Sequence, residues 1–207
     1  MSELSRDASL VEEAVEAIRA GKPVVLPTDT VYGLCAAPDE AGPVLRMYEL
    51  KGRDEQQPTA LIASDVDALL ERVPELRGRF ERLLRALLPA PLTLVAPNPA
   101  RRFPWLSGVR PDTIGVRVPG LEGAAKEVLR AVGAVAATSA NLKGGSDPKR
   151  LAEVPEEIRV GAAVLVDGGE LPGAPSTVVD LTGPDPQILR EGAVSAAEVL
   201  ERLGQLA

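Results

Sequence analysis

Residues 23–34 read Pro23-Val-Val-Leu-Pro27-Thr-Asp-Thr-Val-Tyr-Gly-Leu34, a short apolar run that breaks at a proline into hydroxyls and a carboxylate. The run is short and valine-rich, so it reads as a buried strand with a polar end. Upstream, Ser9 with Glu12 three residues on has the pattern of a capping box. Leu10, Ala14, Val15, Ala17 and Ile18 then share a helical face that ends before Gly21. Downstream, Glu40 to Leu50 places Val44, Leu45 and Tyr48 at helical spacing. The alternation continues. Thr59–Ala63, Leu92–Ala96, Ile114–Val118, Ala134–Thr138, Ala163–Val166, Ser176–Leu181 and Gln187–Arg190 read as strands. Asp65–Arg72, Glu75–Leu88 (after Pro74), Glu122–Ala131 and a final segment opening at Ser195, with Glu198 completing a second capping box, read as helices. This predicts an α/β fold around one sheet, with no internal boundary across residues 1–207.

Composition narrows the chemistry. The 207 residues include no histidine and one cysteine, Cys35. Ser-His-Asp and Cys-His catalysis, His-based zinc sites and an internal disulfide are therefore excluded. Aromatic residues make up 2%, too few for a base-stacking platform, and the net charge of -7 is not that of a polycation. The polar N-terminus and the lack of a long apolar run point to the cytoplasm and away from a membrane. Phosphate-binding glycine loops of the P-loop and Rossmann types and a G-x-S-x-G elbow are missing too. Any chemistry must rest on Lys, Arg, Ser, Thr, Asn and Asp.

Such residues gather at the ends of the predicted strands, where α/β sheets place their ligands. Pro27 to Leu34 is either a turn whose hydroxyls cap a following helix or a ligand contact. Lys51-Gly52-Arg53 sends two cations off a helix end, to grip phosphate or to offset the helix dipole. Thr138-Ser139-Ala140-Asn141 follows an apolar strand and can cap a helix or meet a ligand. Arg190 ends a strand, as a solvated charge or as part of a site. Arg117 interrupts an apolar strand, and a cation there calls for an anionic partner.

In order, these segments, with Pro91-Leu-Thr-Leu-Val, Ile114-Gly-Val-Arg-Val-Pro, Ser176-Thr-Val-Val-Asp and Ile188-Leu-Arg-Glu-Gly, resemble the YrdC-type threonylcarbamoyl-AMP synthases from about Ser9 to Gly192. The resemblance implies a short, single-domain YrdC-like open twisted α/β sheet with flanking helices and a concave, positively lined surface. It implies an enzyme that joins L-threonine, bicarbonate and ATP, with Mg²⁺, into L-threonylcarbamoyladenylate and pyrophosphate. The product would pass to downstream transferase proteins that modify tRNA. By position, Lys51, Arg53, Gln57, Thr113, Ser139, Asn141 and Arg190 match ATP-binding residues, and Lys51 and Arg53 the catalytic cations. Thr30, Arg117, the Ala137 backbone and Ser176 match threonine-binding residues; no metal ligand is assigned. The sequence departs from the family at Asp54, where proline is frequent, and at Ile62, where longer relatives carry histidine.

The absence of histidine suits such a reaction. A threonine amine takes up carbon dioxide unaided, and the carbamate then attacks the α-phosphate of ATP. That displacement needs alignment and neutralisation of charge rather than a protein nucleophile. Two other readings share these residues: a tRNA or double-stranded RNA binding factor, and an ATP-binding paralogue with weak synthase activity. For RNA speak the arginines at 101, 102, 110 and 117, set against Asp112 alone, and the cluster Lys149–Arg150 with Lys143.

Overall fold

The computed structural model describes residues 3–206. Helices are α1 (Glu3–Arg19), α2 (Ala41–Lys51), α3 (Val66–Arg72), α4 (Arg79–Leu87), α5 (Gly123–Val132), α6 (Glu156–Gly161) and α7 (Ala196–Gly204). Strands are β1 (Val24–Pro27), β2 (Tyr32–Ala36), β3 (Ala60–Ala63), β4 (Leu92–Pro97), β5 (Thr113–Arg117), β6 (Ala134–Ser139), β7 (Val164–Leu165), β8 (Thr177–Asp180) and β9 (Gln187–Arg190). All nine join one sheet in the order β7-β1-β2-β6-β3-β5-β4-β8-β9. The β1–β7, β3–β5 and β4–β8 pairs are parallel and the others antiparallel.

The two faces of the sheet are covered unequally. One is packed by a core of Leu34, Leu61, Leu94, Val116 and Val179 from the strands with Met47, Leu69, Leu84, Ile158 and Val199 from the helices. The other is covered by α1 and α5, which pack on each other and on Val24, Leu26, Cys35, Ile62, Val135 and Ala137. That second layer reaches only as far as β3. Beyond it β5, β4, β8 and β9 turn one face to a cleft.

Four local expectations are corrected. The helix α1 runs through Ser9 instead of starting there, and Ser9 Oγ donates to Glu13 Oε1 at 3.1 Å within it. The capping box at the other end of the chain holds in half: Ser195 Oγ accepts from the Glu198 N–H at 3.2 Å. The expected helix Glu75–Leu88 divides into a short 3₁₀ turn, Pro74–Leu76, and α4, because Gly78 takes φ +84° between them. No helix follows Pro27–Gly33. The segment is a β1–β2 hairpin with Leu26 opposite Gly33. The helix α6, whose first turn holds Glu156 and Glu157 behind Pro155, was not read from the sequence.

Candidate active site

Side chains alternate across a strand, and the open half of the sheet uses that alternation. On β5, Ile114 and Val116 enter the core while Thr113, Gly115 and Arg117 face the cleft; on β4, Leu92, Leu94 and Ala96 enter the core while Thr93 and Val95 face out. The cavity measures about 310 Å³. Among the described residues its lining holds four arginines (Arg53, Arg110, Arg117, Arg190) and one carboxylate, Asp147.

The β1–β2 turn forms one end. Thr28 Oγ1 accepts from the backbone N–H of Thr30 and of Val31, both at 3.2 Å, and donates to the Val31 carbonyl at 2.7 Å. This closed turn aims Asp29 and Thr30 at β5. Arg117, 7% exposed, pairs with Asp29 through Nη2 and donates to Thr30 Oγ1 at 2.8 Å. The other Asp29 oxygen accepts from the Gly120 N–H at 3.1 Å, which ties the turn to the segment after β5. Arg117 Nε is buried without a partner. The anionic partner that the sequence demanded of Arg117 is thus Asp29.

Across the cleft, Arg190 on β9 lies over the start of β8. Its Nη2 donates to the Ser176 carbonyl at 2.7 Å and to Ser176 Oγ at 3.2 Å. Ser176 Oγ and Thr93 Oγ1 share a hydrogen bond of 2.8 Å. The close approach is possible because Gly192 has no side chain: a Cβ there would fall 2.1 Å from the Pro175 carbonyl oxygen.

The third group comes from the end of α2. Gly52 stops the helix in the left-handed region at φ +67°, where its N–H and that of Arg53 bond back to Glu49 and Tyr48. Lys51 therefore stays inside and Arg53 emerges into the cleft. Arg53 donates to Thr138 Oγ1 at 3.3 Å and to the Pro58 carbonyl at 2.6 Å, and its Nε is buried without a partner. Lys51, 5% exposed, donates to the carbonyls of Ser139 and Asn141 at 2.6 and 2.7 Å and to Asn141 Oδ1 at 2.5 Å. Burial, with help from neighbouring Arg53 and against the pull of Asp147, brings the Lys51 ammonium down to about 8. Burial also lowers Arg53.

Of the expected site residues, Thr30, Arg53, Thr113, Arg117, Ala137, Ser139, Ser176 and Arg190 line the cleft. Lys51 and Asn141 are buried behind its wall, and Gln57 is exposed outside the lining. The sequence offered Arg110 only as an RNA-facing cation, whereas it lines the cleft and pairs with Asp180 at 2.7 Å; the Thr93 contact with Ser176 was not expected. Sequence reasoning also left unassigned the Thr59 and Ser107 hydroxyls, buried in the wall without partners. The alternation Leu-Thr-Leu-Val on β4 carried the signal for Thr93; nothing local marks Ser107.

The arginines from 101 to 117 meet carboxylates inside the molecule. Arg101 pairs with Asp112, Arg102 with Glu75, Arg110 with Asp180 and Arg117 with Asp29. Lys149 and Arg150 both meet Glu170. The two stretches therefore do not present a run of unpartnered cations. Among the described residues, no helix is long and apolar enough to cross a membrane, and no group of three or more His, Cys, Asp or Glu could hold a metal ion.

The model of the Sua5/YciO/YrdC family, described as "Telomere recombination", matches residues 16–192. The chain belongs to this family. Among its Sua5/YciO/YrdC relatives, the threonylcarbamoyl-AMP synthase of Pyrococcus abyssi is 35% identical over 190 residues, 91% of this chain and 56% of that one. The threonylcarbamoyl-AMP synthase of Halorhodospira halophila is 35% identical over 158 residues, 76% and 82% of the two chains. Of solved family structures, P. abyssi Sua5 complexed with L-threonine superposes with a TM-score of 0.85 at 35% identity, over 96% of this chain and 58% of that one. E. coli YciO superposes with a TM-score of 0.78 at 26% identity, over 89% and 90%. This chain thus spans less than two thirds of the Pyrococcus protein and nearly all of YciO.

Proposed function

We propose that the chain is an L-threonylcarbamoyladenylate synthase, joining L-threonine, bicarbonate and ATP for threonylcarbamoyl modification of tRNA. The observation that carries this is the cationic cleft. Arg117, fixed by Asp29, shares one lining with Arg53, Ser139 and Arg190, in a member of a family that includes the threonylcarbamoyl-AMP synthases of P. abyssi and H. halophila.

In this reading Arg117 takes the threonine carboxylate. Its Nη2 is already oriented by Asp29 and Thr30, and its buried Nε gains from an incoming oxygen the partner it lacks. Thr30 and the Ala137 backbone stand beside it, and Ser176, held by Arg190 and bonded to Thr93, closes the threonine site from across the cleft. Arg53, Thr113, Ser139 and Arg190 receive the nucleotide, with Asn141 and Lys51 behind them and Gln57 at the outer edge. Magnesium would enter as part of the MgATP substrate, and Asp147, the carboxylate in the lining, would offer an acceptor to its bound water.

The threonine amine adds to carbon dioxide released from bicarbonate and loses a proton to give a carbamate. A carbamate oxygen attacks the α-phosphorus. The bond from that phosphorus to the bridging oxygen breaks, and pyrophosphate leaves with the electron pair. The protein's part is to hold the ends in line and to set cations where charge builds on phosphate oxygens. Incubation of the purified protein with MgATP, bicarbonate and labelled threonine, followed by mass spectrometry, is expected to yield threonylcarbamoyl-AMP and pyrophosphate only when all three substrates are present. Nucleotide binding without product would overturn the assignment.

A further inference from the structure

We propose that Lys51 is a positioning residue for this reaction: it fixes the strand end Ser139–Asn141 from behind the cleft wall instead of gripping phosphate itself. The role in catalysis rests on the synthase reading; the structural part stands without it.

An ammonium has three protons, and each one here already has an acceptor. Lys51 Nζ reaches the Ser139 carbonyl at 2.6 Å, the Asn141 carbonyl at 2.7 Å and Asn141 Oδ1 at 2.5 Å. None is left over for a phosphate oxygen, and the residue is 5% exposed and absent from the cleft lining. Arg53, two residues on, is the contrast, because it lines the cleft and keeps an unpartnered Nε.

What Lys51 holds is itself a chain of bonds that ends in the cleft. Ser139 Oγ donates to the same Asn141 Oδ1 at 2.7 Å, so the orientation of the amide fixes the direction of the hydroxyl. Asn141 Nδ2 donates to the Gly145 carbonyl at 2.5 Å, and the Lys51 carbonyl accepts from the Lys143 N–H at 3.0 Å. The loop after β6 is thereby laced to the last turn of α2. Within this lattice Ser139 is the residue that faces the cleft, so Lys51 acts on substrate through it. The charged groups facing the ammonium are Arg53, beyond Gly52, and Asp147, in the laced loop.

The test uses Lys51→Met, Asn141→Ala and the double variant. In the protein without substrates, amide exchange across residues 139–146 is expected to rise about tenfold in Lys51→Met, as loss of charge-assisted bonds requires. Unchanged exchange would overturn the proposal, and this readout does not depend on synthase activity. In kcat/KM for MgATP, the double variant is expected to match Asn141→Ala within about twofold, because the two residues act as a unit. Losses that multiply would make Lys51 an independent clamp. Should Lys51→Met not fold, the wild-type protein carries the test. Inorganic tripolyphosphate is expected to displace the Arg53 side-chain NMR resonances and leave those of Lys51 in place; equal displacement overturns the proposal.

Discussion

Asp29 is the residue whose role is most easily separated from the chemistry. It faces Arg117 at an almost fully buried pair, with side-chain exposures of 12% and 8%. Removing the carboxylate leaves a guanidinium without its counter-charge, a change that costs about 3 kcal/mol in such settings. Asp29→Ala is expected to lower stability by that order in urea unfolding. It is also expected to raise the threonine KM by at least about tenfold, with a smaller effect on the KM for MgATP. An equal rise in both constants would disconnect Arg117 from threonine.

Lys51 makes a second prediction at this scale. Its ammonium is brought down from 10.5 to about 8, so between those values the unfolded chain binds more protons than the folded one. Stability contributed at this site therefore rises with pH across that window and is flat below it. Cys35 and Tyr32 act in the opposite direction, since burial pushes both up to about 12. Subtracting the Lys51→Met curve from the wild-type curve removes them. The difference is expected to move in favour of the wild type by up to about 3 kcal/mol between pH 8 and pH 10.5. A difference that falls over that window would reverse the assignment of burial as the cause.

At the scale of elements, the close crossing of β8 and β9 decides the far end of the cleft. A Cβ on Gly192 would fall 2.1 Å from the Pro175 oxygen and 2.8 Å from Ser176 backbone atoms, so the strands would have to separate. Gly192→Ala is expected to cost about 1–3 kcal/mol of stability. It is also expected to weaken nucleotide binding by loosening Arg190 from Ser176, as calorimetric titration with MgATP would show. Elements were also where sequence reading succeeded and failed for identifiable reasons. Strands such as Leu92–Ala96 and Ala134–Thr138 were legible because their cores are apolar and their ends polar. The β1–β2 hairpin was not, since Thr28, Asp29 and Thr30 have the same side-chain chemistry in a helix cap as in a closed turn. The helix start at Ser9 was misplaced because the polar residues before it also sustain a helix. Lys51-Gly-Arg gave the presence of two cations; that they part, one inward and one outward, depends on the left-handed Gly52.

At the scale of the whole molecule, the site is the part of one sheet face that α1 and α5 leave uncovered. The alternation in Thr113-Ile-Gly-Val-Arg117 showed that one face differs, but which helices cover it depends on the distant pairing of α1 with α5. Ligands that fill this space bind only the folded chain. Threonine and MgATP, each at about a hundred times its dissociation constant, are each expected to add about 2.7 kcal/mol to stability. For a chain of this length that corresponds to a rise in Tm of roughly 5–10 °C. Differential scanning fluorimetry checks it, and Arg117→Ala is expected to lose the threonine share alone.

The unequal dressing of the sheet has a consequence for how such a protein can change over generations. In most α/β enzymes the reactive groups ride on loops beyond the strands, and a new substrate means a new loop. Here many of the candidate groups stand on the strands themselves, at every second position, with core residues between them. An exchange at Thr93, Thr113 or Gly115 alters the working surface while the neighbouring Leu94, Ile114 or Val116 continues to hold the core. Specificity and foldability are thus inherited on alternate residues of the same strands, so one can drift without dragging the other.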